Sequence, residues 1–313
     1  MNKIFNYSAN KVKFLILPIV IIVAGIVMYF VHGGFNFDVE FMGGIRMQVA
    51  IGQSFDNDEI ASLIKDKTGL DAVVQKSGAT GETAVIKLPA GDGEDNGEEN
   101  KNIVFAALQE KFSLEDDALL SVQSASPSFG KQVQQKALTY TLFAIFCILI
   151  YIIIRFDWRS GIMAVATLAL NILVMCSVYT ITNIAINTTF IAAMLTVVGY
   201  SINNTIVIFD RIRENQKSRR RTESISEMTN RSIAETMGRT INSTITTLIT
   251  IVLIYILGVS TIKQFALPLI IGIIIGAYTS IFIASTFWAA WKQADVEAKA
   301  KAAAERRSSK KNK

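Results

Sequence analysis

The sequence predicts a polytopic α-helical membrane protein, with six transmembrane helices and one small α/β domain outside the membrane. Three observations carry this expectation. Of the 313 residues 51% are hydrophobic and only 18% are charged, and the apolar residues are gathered into runs instead of being scattered. Six of those runs suffice for a hydrocarbon layer of about 30 Å, which takes roughly 20 helical residues. Between the first and second runs lies a long segment of different composition, in which the apolar periodicity switches repeatedly.

Residues 1–13 form a basic start with Lys3, Lys11 and Lys13. The first run, 14–31, therefore resembles a signal peptide. No small-x-small cleavage site follows it, so it is expected to remain as a membrane anchor. Val31-His32-Gly33-Gly34-Phe35 reads as the helix exit, which puts the single histidine, His32, at the membrane boundary with no second metal ligand beside it.

Residues 32–136 are expected to fold outside the membrane. Met47, Val49 and Ile51 alternate as in a strand. Asp56 and Glu59 form an N-cap and capping-box pair ahead of Ile60, Leu63 and Ile64, and Gly69 supplies the stop. Strands follow near 72–74 and 84–88, then a helix near 102–112 and a last strand near 118–123. The order βαββαβ is the split arrangement of ferredoxin-like domains. Such a domain is a binding surface or lever, with nothing intrinsically catalytic about it. The acidic stretch 91–100 looks at first like a calcium loop. Counting from Asp92, however, the twelfth position is Ile103, where a bidentate Glu is needed, so a solvated connection is expected.

The other spans are expected at 137–154, 161–181, 188–209, 241–258 and 265–289, with a basic loop at 210–240 and a basic tail at 290–313. Orientation follows from the cations. With the N-terminus in the cytoplasm, the inside segments hold three Lys or Arg at the start, two at Arg155 and Arg159, eight in the basic loop and eight in the tail. The short outer loops hold only Lys263, as the positive-inside rule requires. Residues 32–136 carry nine basic against seventeen acidic residues, so the net charge of +5 reflects the inner face. Nucleic-acid binding is therefore not expected, whereas anionic lipid is a natural neighbour of the basic loop. Cys147 and Cys176 lie inside spans as packing residues. Gly272 and Gly276 form a GxxxG pair that permits close helix approach. No HExxH, Walker loop or comparable motif occurs, and neither an enzyme nor a cofactor is expected.

Polar side chains inside hydrocarbon are costly and usually face other helices or a hydrated path. Here they gather in three spans. Asn171 lies in the third, Gly199, Ser201, Asn203, Asn204 and Thr205 in the fourth, and Asn242, Ser243, Thr244, Thr246, Thr247 and Thr250 in the fifth, with Arg239 just before it. Asn204 lies six residues, or roughly 9 Å, from Asp210. Asn171, Asn203, Asn204, Arg239, Asn242 and Thr246 thus form either interhelical glue or an ion path, and composition does not decide between them.

Two longer patterns are specific. Val198-Gly199-Tyr200-Ser201-Ile202-Asn203-Asn204-Thr205-Ile206-Val207-Ile208-Phe209-Asp210-Arg211-Ile212-Arg213-Glu214-Asn215 resembles the fourth-helix signature of the SecF family, Gly-Tyr-Ser-x-Asn-Asp-Thr-x-Val-x-Phe-Asp-Arg-Ile-Arg-Glu. Arg239-Thr240-Ile241-Asn242-Ser243-Thr244-Ile245-Thr246-Thr247 is similar to the same family's Arg-Thr-x-Asn-Thr-Ser-x-Thr-Thr. Glu40-Phe41-Met42-Gly43-Gly44 resembles its outer motif Asp-Phe-x-Gly-Gly, and Ser126-Pro127-Ser128-Phe129-Gly130 its Gly-Pro-x-x-Gly.

The resemblance implies a subunit of the protein-export machinery of a bacterial cytoplasmic membrane. Its implied partners are a SecD-like subunit, the SecYEG channel and unfolded exported polypeptide, and its implied energy source is an ion gradient. The family's half unit is shared with resistance-nodulation-division exporters, but those have two much larger outer domains. A non-transporting scaffold is the third reading. One departure matters: Asn204 stands where the family has the Asp held to carry protons, and an amide does not titrate near neutral pH. The expectation is therefore that this subunit does not itself bind and release the coupling proton.

Overall fold

The computed structural model describes residues 5–77, 81–90, 97–219 and 222–311. The acidic stretch 91–96 and Arg220-Arg221 of the basic loop lie outside the described residues. In chain order, a short 3-10 turn, Ser8–Asn10, leads into α1 (Lys11–Val31), followed by α2 (Val39–Met42), β1 (Gly44–Ala50), α3 (Asn57–Thr68), β2 (Val73–Ser77), β3 (Thr83–Pro89), α4 (Gly97–Phe112) and β4 (Leu119–Ala125). Then come α5 (Pro127–Arg155), α6 (Trp158–Ile181), α7 (Thr188–Lys217), α8 (Ile225–Leu257), α9 (Ser260–Thr279), a single π turn (Ser280–Ala284) and α10 (Ser285–Lys311). Six of the described helical stretches are long and apolar enough to cross a membrane. The chain forms two compact units, one of Met1–Gly34, Thr141–Ile184 and Thr189–Lys313, the other of Phe35–Tyr140 and Ala185–Thr188.

The second unit holds a four-stranded antiparallel sheet in the order β2-β3-β1-β4. Strand alternation puts Ile45, Met47 and Val49 of β1 on one face, where they pack with Ile60 and Ile64 of α3 and Val104 and Leu108 of α4. Helix α3 has the cap and the stop that the sequence dictates. Asp56 accepts from the Asp58 N–H at 2.8 Å, and Gly69 takes the left-handed conformation that ends α3. The opposite face of the sheet is polar. Asp38, Arg46 and Lys87 form a buried charge network there, with Arg46 Nη1 3.2 Å and Lys87 Nζ 4.0 Å from the Asp38 carboxylate, while Lys87 also donates to Asn36 Oδ1 at 3.1 Å.

The Glu40–Gly44 motif has a steric reason. Gly44 has φ of 122°, and a Cβ there would lie 2.1 Å from the Leu88 carbonyl oxygen, so only glycine admits the β1–β3 pairing at this point. Phe37 bridges Ile186, and the Glu40 carboxylate accepts from the Thr188 N–H at 2.9 Å and its hydroxyl at 2.5 Å. Glu40 thus caps the first residue of α7, placing negative charge where the helix dipole favours it.

The segments between the spans are more helical than the sequence suggested. The expected loop at 210–240 is helical up to Lys217 and again from Ile225, and the expected tail at 290–313 is helical to Lys311. A Ser224–Glu227 capping box starts α8, and the Asn215 amide on α7 donates to Ser232 Oγ on α8 at 2.9 Å. Helix α5 starts at Pro127, ten residues before the apolar run does, because its first turns are polar.

Candidate functional site

Helix geometry turns each residue by about 100°, and that rotation sorts the polar residues of α7. Thr196, Gly199, Asn203 and Asp210 fall on one exposed stripe, while Ser201, Asn204 and Thr205 face inward and are buried. Asn203 and Asn204, adjacent in sequence, therefore belong to different surroundings.

The inward group meets α6 and the end of α9. Thr205 Oγ1 lies 2.8 Å from Ser280 Oγ, which donates to the Ser201 carbonyl at 3.2 Å, and Thr279 Oγ1 donates to Asn171 Oδ1 at 2.6 Å. Consecutive residues at the α9 end thus join Asn171 to the Ser201–Thr205 turn. Gly276 lets α9 come close enough for this, since a Cβ there would sit 2.0 Å from Ser201 Oγ. The amide nitrogens of Asn171 and Asn204, Ser201 Oγ, Thr240 Oγ1 and Tyr200 OH are buried without a hydrogen-bond partner. Two of these open groups, Asn171 Nδ2 and Ser201 Oγ, belong to residues of the hydrogen-bonded cluster, and open donors and acceptors of that kind suit small polar guests such as water.

Helix α8 has three faces. Thr240 and Thr244 are buried; Ile241, Ile245, Ile249, Val252 and Ile256 form an exposed apolar face suited to lipid; Arg239, Asn242, Ser243, Thr246 and Thr250 form an exposed polar face. Of the polar residues singled out from the sequence, Asn171 belongs to the buried cluster, Asn204 is buried on the inward face of α7, and Asn203, Arg239, Asn242 and Thr246 are exposed on their helices. Thr279 and Ser280 were not anticipated, because hydroxyls scattered among Ile and Ala give no periodic signal.

Tyr200 is half-buried; Asp210 pairs with Arg155 at 3.3 Å; Arg211 bridges Glu214 and Glu235, each at 2.6 Å; Arg213 donates to the Arg155 carbonyl at 3.1 Å. Phe41 is buried in the second unit beside Gly43 and Gly44. His32 Nδ1 lies 3.1 Å from the Thr180 carbonyl, which can only accept, so that nitrogen carries the proton. Among the described residues no group of three His, Cys, Asp or Glu could hold a metal ion.

A family profile described as protein export membrane protein SecD/SecF, C-terminal, matches residues 104–294. The chain is 31% identical to protein translocase subunit SecF of Haemophilus influenzae, over 88% of this chain and 82% of that one. It is 34% identical to the SecF of Thermodesulfovibrio yellowstonii, over 90% and 92%. Its fold is similar to the crystal structure of SecDF, a translocon-associated membrane protein from Thermus thermophilus, with TM-score 0.80 and 29% identity over 93% of this chain. It spans 39% of that longer protein.

Proposed function

Since the chain belongs to the SecD/SecF family of protein-export membrane proteins, in its SecF branch, we propose that it works as one half of a two-subunit export motor whose other half is a SecD-like subunit. The observation that carries the pairing is the exposed polar surface of the spans: Thr196, Gly199 and Asn203 on α7, and Arg239, Asn242, Ser243 and Thr246 on α8. Polar groups at membrane depth are not left against lipid tails, so these faces need a protein or hydrated partner. A SecD-like subunit fits, because the SecDF relative combines both names in one chain and this chain corresponds to only part of it.

In this reading both termini are cytoplasmic, as the positive-inside distribution favours, with spans at 14–31, 137–154, 161–181, 188–209, 241–258 and 265–289. Residues 32–136 form the extracytoplasmic domain. The strand order β2-β3-β1-β4 with one helix between β1 and β2 and another between β3 and β4 supports a ferredoxin-like assignment. That domain engages unfolded polypeptide emerging from the SecYEG channel. Energy comes from an ion gradient, and the titrating carboxylate belongs to the partner: Asn204 is buried within this chain and carries no proton, and Arg239, on the exposed face, has no acidic partner among the described residues.

The test is export in vesicles reconstituted with SecD and the channel, under separate proton and sodium gradients, for Asn204→Ala and Asn204→Asp. Little loss in Asn204→Ala, together with a requirement for a SecD carboxylate, supports the reading. Abolished gradient-driven export in Asn204→Ala, with SecD assembly intact, refutes it.

A further inference from the structure

The helix bundle contains a cavity of about 300 Å³ where α5 turns into α6, and it is not part of the polar cluster described above. Its volume is at the small end of ligand pockets, which run roughly 300–1,000 Å³. Its wall combines two chemistries. Arg155, Asp157, Ser160, Arg213 and Gln216 line it together with apolar residues that include Ile154 and Trp288.

The polar part suits an anion. Arg213 has one guanidinium nitrogen on the Arg155 carbonyl at 3.1 Å and no acidic partner among the described residues. The N-terminus of α6 opens on the same cavity. Its N-cap, Asp157, makes no side-chain cap bond there, because its carboxylate is turned to Lys292 at 3.4 Å and Arg159 at 3.6 Å. The first N–H groups of a 24-residue helix are thus left without a side-chain acceptor, and the dipole favours negative charge at that end. Trp288, 2% exposed, lines the cavity with its indole N–H lacking an acceptor. The opposing charges are Asp157, already doubly paired, and Asp210, which holds Arg155 at 3.3 Å on its exposed side.

The apolar part suits an acyl chain. Ile154 is 81% exposed, and Ile150, Tyr151 and Ile153 continue an exposed apolar strip along α5 away from the cavity. The cavity also sits at a span end. Trp158 and Trp291 pack edge to face at 5.2 Å with the Arg159 guanidinium 4.6 Å over the Trp158 ring, the aromatic and cationic pairing that marks a membrane boundary.

We propose that this cavity is a discrete binding site for one anionic phospholipid, the headgroup phosphate held by Arg155, Arg213 and the α6 N-terminus and one acyl chain lying along α5. The site rests on the membrane-spanning reading but not on pairing with SecD. It differs from general attraction of basic loops to lipid in having a defined stoichiometry and a shape.

The experiment is native mass spectrometry of the full chain, released from nanodiscs containing phosphatidylglycerol and phosphatidylcholine. The wild type is expected to retain a single phosphatidylglycerol in preference to phosphatidylcholine. Arg155→Gln with Arg213→Gln is expected to lower that retention about thirtyfold, the loss of two headgroup-facing charges. Gln216→Glu changes an exposed side chain and is the arm least exposed to folding failure; it is expected to lower retention as well, while Arg219→Gln leaves it unchanged. Equal retention of both lipids, or no change in Gln216→Glu, overturns the proposal. Displacement by free glycerol phosphate at similar concentration also overturns it, and would make the cavity a site for soluble phosphate esters. Copurification with the SecD-like subunit is scored on the same samples, so failure of the pairing and failure of the lipid site are read independently.

Discussion

Gly276→Ala probes the approach of α9 to α7 at the level of the buried polar cluster. The added methyl would lie 2.0 Å from Ser201 Oγ and 3.1 Å from Ser201 Cβ, whereas ordinary contact begins near 3.4 Å. About 1.4 Å must therefore be found. Ser201 is 1% exposed and on a helix whose neighbouring turns are also buried, so its hydroxyl cannot escape to solvent. Overpacking of this kind costs about 1–3 kcal/mol. The expected result is a loss near 2 kcal/mol in unfolding free energy, read from the denaturant transition of the detergent-purified chain and accompanied by weaker export. Ser201→Gly removes both clashing atoms and leaves only Ser201 Cα, at 3.6 Å. In the double variant the two changes should offset each other by about 1 kcal/mol or more after the cost of glycine in a helix is counted. A neutral Gly276→Ala, or costs that simply add, would refute the close approach and with it the link from Asn171 to the Ser201–Thr205 turn.

Three further outcomes are expected. A cysteine at Ser218 should react with an impermeant thiol reagent only after the cells are opened; labelling from outside intact cells would invert the topology. Residues 35–130, produced without the spans, should fold as a soluble α/β unit, and that fragment should gain stability as pH rises toward 10.5. Burial pulls the Lys87 ammonium below the usual lysine range, Asp38 opposing and Arg46 adding to the effect, so between the lowered value and 10.5 the unfolded chain binds more protons and folding strengthens with pH. Lys87→Met should abolish that slope, and an unchanged slope or a random-coil spectrum counts against the buried network. Finally, Glu40→Ala should cost about 1.5–3 kcal/mol in thermal or denaturant stability by uncapping Thr188, and Glu40→Asp should recover less than half because the carboxylate no longer reaches; no loss in Glu40→Ala would show that the cap is idle.

The six long apolar helices were legible because hydrocarbon selects uninterrupted apolar runs, and the order of strands and helices between the first two because period-2 and capping signals are local. The ends of the long helices were not legible. Helices α7 and α8 run on through Asn215, Thr229, Ser232 and Thr236, buried by hydroxyl and amide contacts that a hydropathy reading scores as loop. The six polar residues singled out from the sequence divide in the structure, Asn171 and Asn204 being buried and Asn203, Arg239, Asn242 and Thr246 exposed. Counting turns alone separates Asn203 from Asn204 by about 100° and places Arg239, Asn242 and Thr246 on one face; what sequence could not show is which of those faces α6 and α9 would cover. Thr279 and Ser280 escaped because nothing marks two hydroxyls among aliphatic residues until their partners are known.

The π turn at Ser280–Ala284 accommodates one residue more than an α-helical turn would. It acts as a phase adjuster in an otherwise continuous rod. Upstream, Gly272, Gly276 and Ser280 keep step with α7; downstream, Trp288 and Lys292 keep step with the α5–α6 turn. The extra residue is taken up within the turn, so the helix beyond it stays in phase with the helix before it. Removing one residue here would restore an ordinary α turn and leave the later side chains facing as they do, whereas the same deletion inside α10 would swing every later side chain by about 100°. The rod's tolerance for a deletion is therefore greatest at Ser280–Ala284.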